Sequence, residues 1–235
     1  MNDELCYEIL QTLQRNRIST VEVADALNKT GVLPGLHPLN ARHYRVGKVE
    51  YISTHSESNW DLHEQIQHIA PGCILFVDPF DCGERAVLGD IVSKYLFLYR
   101  RISGLVINGW VRDAHRLIKE DYPIWIRGVT PLGCFNKDMP ASTDIREQIA
   151  ARKAVFQDTV MICDDSGVTH IAKDKLVPST LRRLELMELQ EDIWYYCTDV
   201  LKWSTYDTIC LKRYLQEPDV LPSAMRARIR EMDNT

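Results

Sequence analysis

Arg112 and Asp113 stand side by side directly after an apolar run, residues 104–109 followed by Trp110 and Val111. A guanidinium holds a carboxylate through two parallel hydrogen bonds, and a carboxylate is a ligand for hard divalent cations. Upstream, Asp90 follows Gly89 at what reads as a second helix start. The three side chains predict a place for a metal ion and an anionic substrate. The competing reading is structural: Asp113 favours a helix start, Arg112 pairs with it at the surface, and Asp90 steadies the positive end of its own helix. A further constellation fails on spacing. His63-Glu64 with His68 is close to a zinc-protease helix, but the histidines are five apart and do not share a helix face.

Positioning the Arg-Asp pair needs a strand and two helices. Short runs rich in Val and Ile and bounded by Gly read as buried strands, which fits residues 104–109. A helix is predicted from near Asp113, with Leu117 and Ile118 as apolar residues. Another opens at Gly89-Asp90, with Ile91, Val92, Tyr95, Leu96 and Leu98 or Tyr99 on its apolar side. Further strands are predicted over 46–54, 73–78, 123–127 and 159–163, with 168–172 pairing back after a turn at 164–167. Helices are predicted over 4–14, after the Ser19/Glu22 capping box, over 59–69, over 179–202 and, shorter, within 205–215. Residues 135–144 read as a surface excursion and 217–235 as a loosely held tail, while 145–155 fit helix or strand. The long helix ends in aromatics (Trp194, Tyr195, Tyr196, then Trp203 and Tyr206), more apolar surface than one face needs. Burial against another element or another subunit is expected there.

Bulk properties narrow the class. Apolar content of 45% and charged content of 26% over 235 residues suit a soluble globular protein with a real core. A net charge of −5 argues against nucleic acid as a partner. No apolar segment is long enough to cross a bilayer, so no membrane partner is expected. The seven cysteines contain no CxxC pair and are odd in number; with no secretory leader in view they read as reduced thiols of a cytoplasmic protein.

The motifs GD at 89–90, GLVINGWVRDA at 104–114 and PIWIRGVTP at 123–131 resemble the signature region of the RraA-like family. That family includes the class II pyruvate aldolases acting on 4-hydroxy-4-methyl-2-oxoglutarate and 4-carboxy-4-hydroxy-2-oxoadipate. The likeness extends to ISTVEVADAL at 18–27, GLHPLN at 35–40 and DDSGV at 164–168, in the right order over roughly residues 18–175. It implies an α/β fold, a swivelling β/β/α domain over 1–175 including the N-terminal helices. Residues 176–235 then form a C-terminal helical extension packed on the domain or on a neighbouring subunit.

What the resemblance implies for chemistry is a metal-dependent lyase that cleaves a 2-oxo acid through a pyruvate enolate, as aldolase or oxaloacetate-type decarboxylase. Arg112 orients the substrate carboxylate or keto oxygen, and Asp113 is the carboxylate ligand of Mg²⁺ or Mn²⁺. Asp90 acts in the outer shell through water, and the amides of Leu88, Gly89, Asp90, Ile91 and Val92 receive the substrate carboxylate. Assembly into trimers or hexamers lets Glu188 or Glu191 reach a neighbouring subunit's site. The alternative within the same family is a non-catalytic protein-binding regulator of ribonuclease activity. Retention of Asp113 argues for the enzyme. Three departures mark this chain: Arg116 stands where the aldolases carry an acid, the stretch from Asp90 to Arg112 is one residue longer, and PFDCGE at 79–84 replaces a glycine-rich turn. No glycine-rich nucleotide fingerprint follows a strand, which argues against a methyltransferase.

Overall fold

A computed structural model describes residues 3–233; positions 1, 2, 234 and 235, the outer ends of the two expected segments, lie outside the described residues. Helices α1 (Asp3–Asn16) and α2 (Thr20–Ala26) come first. The predicted capping box opens α2: Ser19 Oγ accepts from the Glu22 N–H at 3.2 Å, and the Glu22 carboxylate from the Ser19 N–H at 2.7 Å. Next come β1 (His37–Pro38), β2 (Arg45–His55), α3 (Trp60–Gln65), β3 (Ile74–Phe80) and β4 (Ala86–Leu88). The site region follows as α4 (Asp90–Lys94), which widens into a π turn over Tyr95–Arg100, then β5 (Gly104–Val111), α5 (Ala114–Lys119) and β6 (Ile124–Val129). The ambiguous stretch is helical, α6 (Thr143–Phe156), capped by Ser142. Then come β7 (Val160–Asp164), β8 (Gly167–Ile171), α7 (Pro178–Tyr195), α8 (Arg213–Gln216) and α9 (Ser223–Asp233).

The strands form one mixed sheet in the order β1-β6-β5-β3-β2-β7-β8, with β4 added against the end of β5. Strands β2, β3, β5 and β6 run parallel, while β7 and β8 pair antiparallel beyond β2 and β1 pairs antiparallel with β6. A bridge from Val32 to Thr169 brings the two edges near each other, so the sheet nearly closes into a barrel. This is the swivelling β/β/α arrangement expected, with further helices at both ends.

Strand β5 is buried on both faces, which is why it reads as a continuous apolar run. Leu105, Ile107 and Val111 pack outward against α3, α4 and α5, while Val106 packs inward with Phe76, Trp125 and Phe156. Inside the barrel Asp78 accepts from Asn108 at 2.6 Å and Tyr51 at 3.3 Å and is paired with Arg152 at 2.6 Å, so its charge ties α6 to the sheet. A third cluster joins α1, α2 and the first half of α7 over β7 and β8.

Two expectations need correction. The tail is not loose: Met225 and Ile229 of α9 pack on a buried cluster of Leu189, Ile193, Cys197, Tyr214 and Leu221. Of the aromatic excess, Trp194, Tyr196 and Trp203 pack half-buried on the same cluster inside the chain, while Tyr195 and Tyr206 stay exposed. The face assigned to α4 is right only in part: Val92, Tyr95 and Leu96 do pack on the core. Ser93 and Leu96 are buried, whereas Ile91 is 78% exposed and Leu98 and Tyr99 face solvent. The π turn shifts the helical phase after Tyr95, and the expected 3.6-residue spacing does not survive it.

His170 on β8 is buried against Phe156, ring centroids 4.7 Å apart, and its Nε2 has no partner. Burial, helped by the Arg152 charge, lowers its pKa to about 4. Between that value and the free value near 6.5 the unfolded chain binds a proton that the folded chain refuses, so stability rises with pH across this window. Acidification from pH 7 to 4.5 is therefore expected to cost the native protein on the order of 2 kcal/mol through this group. Urea melts of native protein and His170→Gln at both pH values check it: the difference should shrink by that amount in the variant.

Candidate active site

The site is built where β4, β5 and β6 end together. Register slips on both sides of β5: between Ala86 and Leu88 against β4, and between Ile107 and Trp110 against β6. Such bulges re-aim the residues that follow. Backbone bonds from Arg112 N–H to Leu88 O (3.1 Å) and from Thr130 N–H to Val111 O (2.9 Å) then fix the strand end between its neighbours. In open parallel sheets this carboxyl end is where ligands gather.

Arg112 and Asp113 point the same way. Arg112 Nε lies 3.7 Å from Asp113 Oδ2, and both line an open cleft of about 470 Å³ with Ala114, His115, Val129, Thr130 and Pro131. Asp113 is at the start of α5 but does not cap it. Its backbone is left-handed (φ 59°), and its carboxylate reaches across to accept from the Asp90 N–H at 3.3 Å. Two glycines make the seat. A Cβ on Gly89 would stand 2.2 Å from Asp113 Oδ2, and a Cβ on Gly133 would stand 2.7 Å from Arg112 Nη1. Backbone without side chains is what lets both charged groups lie down there.

Asp90 is drawn to the departure in the sequence. Its Oδ2 is 2.9 Å from Arg116 Nη1. Slight burial pushes the Asp90 carboxyl up, but the Arg116 hydrogen bond and charge, with the Ile91 N–H, outweigh this and hold it below the usual range. Removing the guanidinium in Arg116→Ala should raise the Asp90 pKa, read by a carbon-13 carboxyl titration. Stability should move by less than about 1 kcal/mol, because the pair is screened by solvent. An Asp90 titration curve identical to the parent's would sink the pairing.

The remaining expected residues are placed as follows. Leu88 is buried on β4, Gly89 underlies Asp113, and the Ile91 and Val92 backbone forms the first turn of α4. The Asp90 amide of that turn is already engaged by Asp113. Glu188 and Glu191 lie on α7 and, within one chain, meet α1 and α2: Glu188 accepts from Asn16 at 2.9 Å, and Glu191 faces Glu22. Burial raises the Glu188 carboxyl despite the Asn16 bond, and burial with the Glu22 charge raises that of Glu191.

Sequence reasoning missed His115, which lines the Arg112 cleft and a neighbouring one of about 440 Å³ with Asp90, Lys94, Arg116 and Lys119. The residue sits two positions after the Asp of the motif, and its helical position was the available signal. Among the described residues no group of three or more His, Cys, Asp or Glu is arranged to hold a metal ion. The donor set is thus one carboxylate beside open space. That fits magnesium or manganese, which bind through one or two carboxylates and keep several waters, and does not fit an all-protein cage.

Known proteins bear on this geometry. A Halalkalibacterium halodurans protein provisionally named 4-hydroxy-4-methyl-2-oxoglutarate aldolase is 29% identical over 169 residues, covering 68% of this chain and 75% of that one. A Shewanella oneidensis protein with the same provisional name is 32% identical over 76 residues, covering 32% of this chain and 46% of that one. Among solved structures, an uncharacterised Pseudomonas syringae pv. tomato protein has a TM-score of 0.63 at 22% identity, covering 82% of this chain and 92% of its own. Streptomyces coelicolor RraAS2, described as an unusual member of the RNase ES inhibitor RraA protein family, has a TM-score of 0.60 at 21% identity, over 79% and 94%. At such identities the structures speak for the fold alone. A family model described as RraA-like, Aldolase/RraA, matches residues 20–169, the span that holds Gly89, Arg112, Asp113 and the strands behind them, and the chain belongs to the RraA-like family.

Proposed function

We propose that the protein is a divalent-metal-dependent carbon–carbon lyase that releases pyruvate from a small 2-oxo acid, as a 4-hydroxy-2-oxo-dicarboxylate aldolase, an oxaloacetate decarboxylase, or both. One observation carries the reading: Arg112 and Asp113 share an open cleft, 3.7 Å apart, at the carboxyl end of β5. The aldolase names of the relatives support it. Both reactions break a bond to the carbon next to the 2-oxo group and leave the electron pair on that carbon and its keto oxygen. Arg112 binds the substrate carboxylate with its fork and orients the breaking bond. Asp113 would hold Mg²⁺ or Mn²⁺, which when bound supplies Lewis-acid stabilisation of the negative charge that develops on the keto oxygen. His115, on the same wall, can give or take a proton. Asp90 lies behind Asp113 and shares its charge with Arg116.

The proposed setting is cytoplasmic, and no helix among the described residues is long and apolar enough to cross a membrane. Self-association into a trimer or hexamer is proposed as well, with the exposed Ile91, Leu98 and Tyr99 as candidate contact surface and Glu188 and Glu191 carried to a neighbour. A second reading has a specific observation behind it. Arg116 takes up the Asp90 carboxylate beside that apolar face, which suits a non-catalytic, protein-binding regulator of ribonuclease activity. Screening 2-oxo acids for pyruvate release, with Mg²⁺ or Mn²⁺ and after chelation, separates the two. Metal-dependent release supports the lyase; silence on every 2-oxo acid leaves the regulator.

A further inference from the structure

Two loops meet beside the Arg112 cleft, and each brings a cysteine. The turn after β3 carries Cys82, which is buried, with Sγ 3.4 Å from Phe80 O. The segment after β6 carries Cys134, which is half-buried. Backbone bonds lash the two segments together through β4. Cys134 N–H donates to Ala86 O (3.0 Å), Ala86 N–H to Leu132 O (2.8 Å) and Arg85 N–H to Cys82 O (3.1 Å). Arg85 Nη1 adds a bond to Gly133 O at 3.1 Å. The two thiols are near enough for each to shift the other's pKa, and neither is in a disulfide.

We propose that Cys82 and Cys134 form a reversible oxidation site, in which Cys134 reacts first with a hydroperoxide and Cys82 then closes a disulfide. The inference rests on the loop geometry and not on the proposed lyase activity. In the first step the Cys134 sulfur attacks the peroxide, the O–O bond breaks, a sulfenic acid forms and the departing oxygen leaves protonated. In the second the Cys82 sulfur attacks the sulfenic sulfur, the S–S bond forms and the hydroxyl leaves as water with the Cys82 proton. Two thiols lose two electrons, and one hydrogen peroxide becomes two waters.

The environments divide the roles. The neighbouring Cys82 thiol lowers the Cys134 thiol, and Arg85 and Arg112 help against burial and the nearby Glu57. The neighbouring Cys134 thiol and burial push the Cys82 thiol far up, so Cys82 keeps its proton until the second step. Closing this neighbouring thiol pair to a bond of about 2.05 Å draws the loops together. Gly133, next in sequence to Cys134, carries the Arg112 guanidinium, so the same closure reseats Arg112.

The test uses the full chain with Cys210→Ser, which removes the exposed thiol, treated with hydrogen peroxide and mapped by mass spectrometry without reduction. The expected result is a mass loss of about 2 Da from one Cys82–Cys134 cross-linked peptide pair, reversed by dithiothreitol. In Cys82→Ser, dimedone should trap a sulfenic acid on Cys134; in Cys134→Ser, Cys82 should stay a thiol. Peroxide that leaves both thiols intact, or that oxidises Cys134 without ever joining Cys82, overturns the proposal.

Discussion

Asp113→Asn should abolish metal-dependent oxaloacetate decarboxylation, with kcat/KM falling on the order of 10³-fold, while the protein melts as the parent does. The choice of Asn follows from the backbone. Asp113 has φ 59°, in the left-handed region that Asn tolerates and Ala does not. Asn also keeps an oxygen to accept the Asp90 N–H, a bond of 3.3 Å in the parent. Only the negative charge is lost, so the loss of rate isolates its role. Asp113→Ala should lose the same activity and in addition about 1–2 kcal/mol of stability from the strained conformation. Steady-state kinetics with Mg²⁺ and a thermal melt on each variant decide it. Undiminished turnover by the Asn variant would end the case for Asp113 as a charged ligand.

Why Asp113 looks like a helix cap in the sequence, and is none, shows where reading residues stops. The apolar run of β5 was legible because both faces are buried and the strand needs no alternation. The adjacency of Arg112 and Asp113 was legible because they are neighbours in the chain. The turn of the Asp113 side chain toward α4, rather than its own helix, depends on the left-handed φ and on the bulges beside Trp110 and Leu88, which no local pattern announces. The Asp90–Arg116 pair joins residues 26 apart, and its existence follows from how two short helices lie side by side. Strand β4 has three residues, too few for a periodicity. Helix α9 offers few apolar side chains in its sequence, yet Met225 and Ile229 suffice once Leu189, Ile193 and Tyr214 are there to receive them. The α4 face failed at Leu98 and Tyr99 for a related reason: a single π turn rephases the residues after it.

Gly89→Ala is expected to cost on the order of 10²-fold in kcat/KM with almost no change in stability, because its effect is displacement rather than strain. The Gly89 backbone has φ −145°, extended geometry that alanine adopts freely. What alanine lacks is room. Its Cβ would fall 2.2 Å from Asp113 Oδ2 and 2.9 Å from Arg112 Cγ, so both side chains must move. They can, since 35% of the Asp113 and 54% of the Arg112 side chain face solvent, and the fold barely registers the shift. The carboxylate, though, loses its place over the Asp90 amide, and a displacement of about 1 Å at a reacting centre is enough for a loss of this size. The comparison that tells is with Asp113→Asn. If the glycine matters only as a seat, Gly89→Ala should weaken the apparent Mg²⁺ dependence and the rate together, whereas a variant that turns over normally would show that Asp113 works from some other position than the one it holds over Gly89.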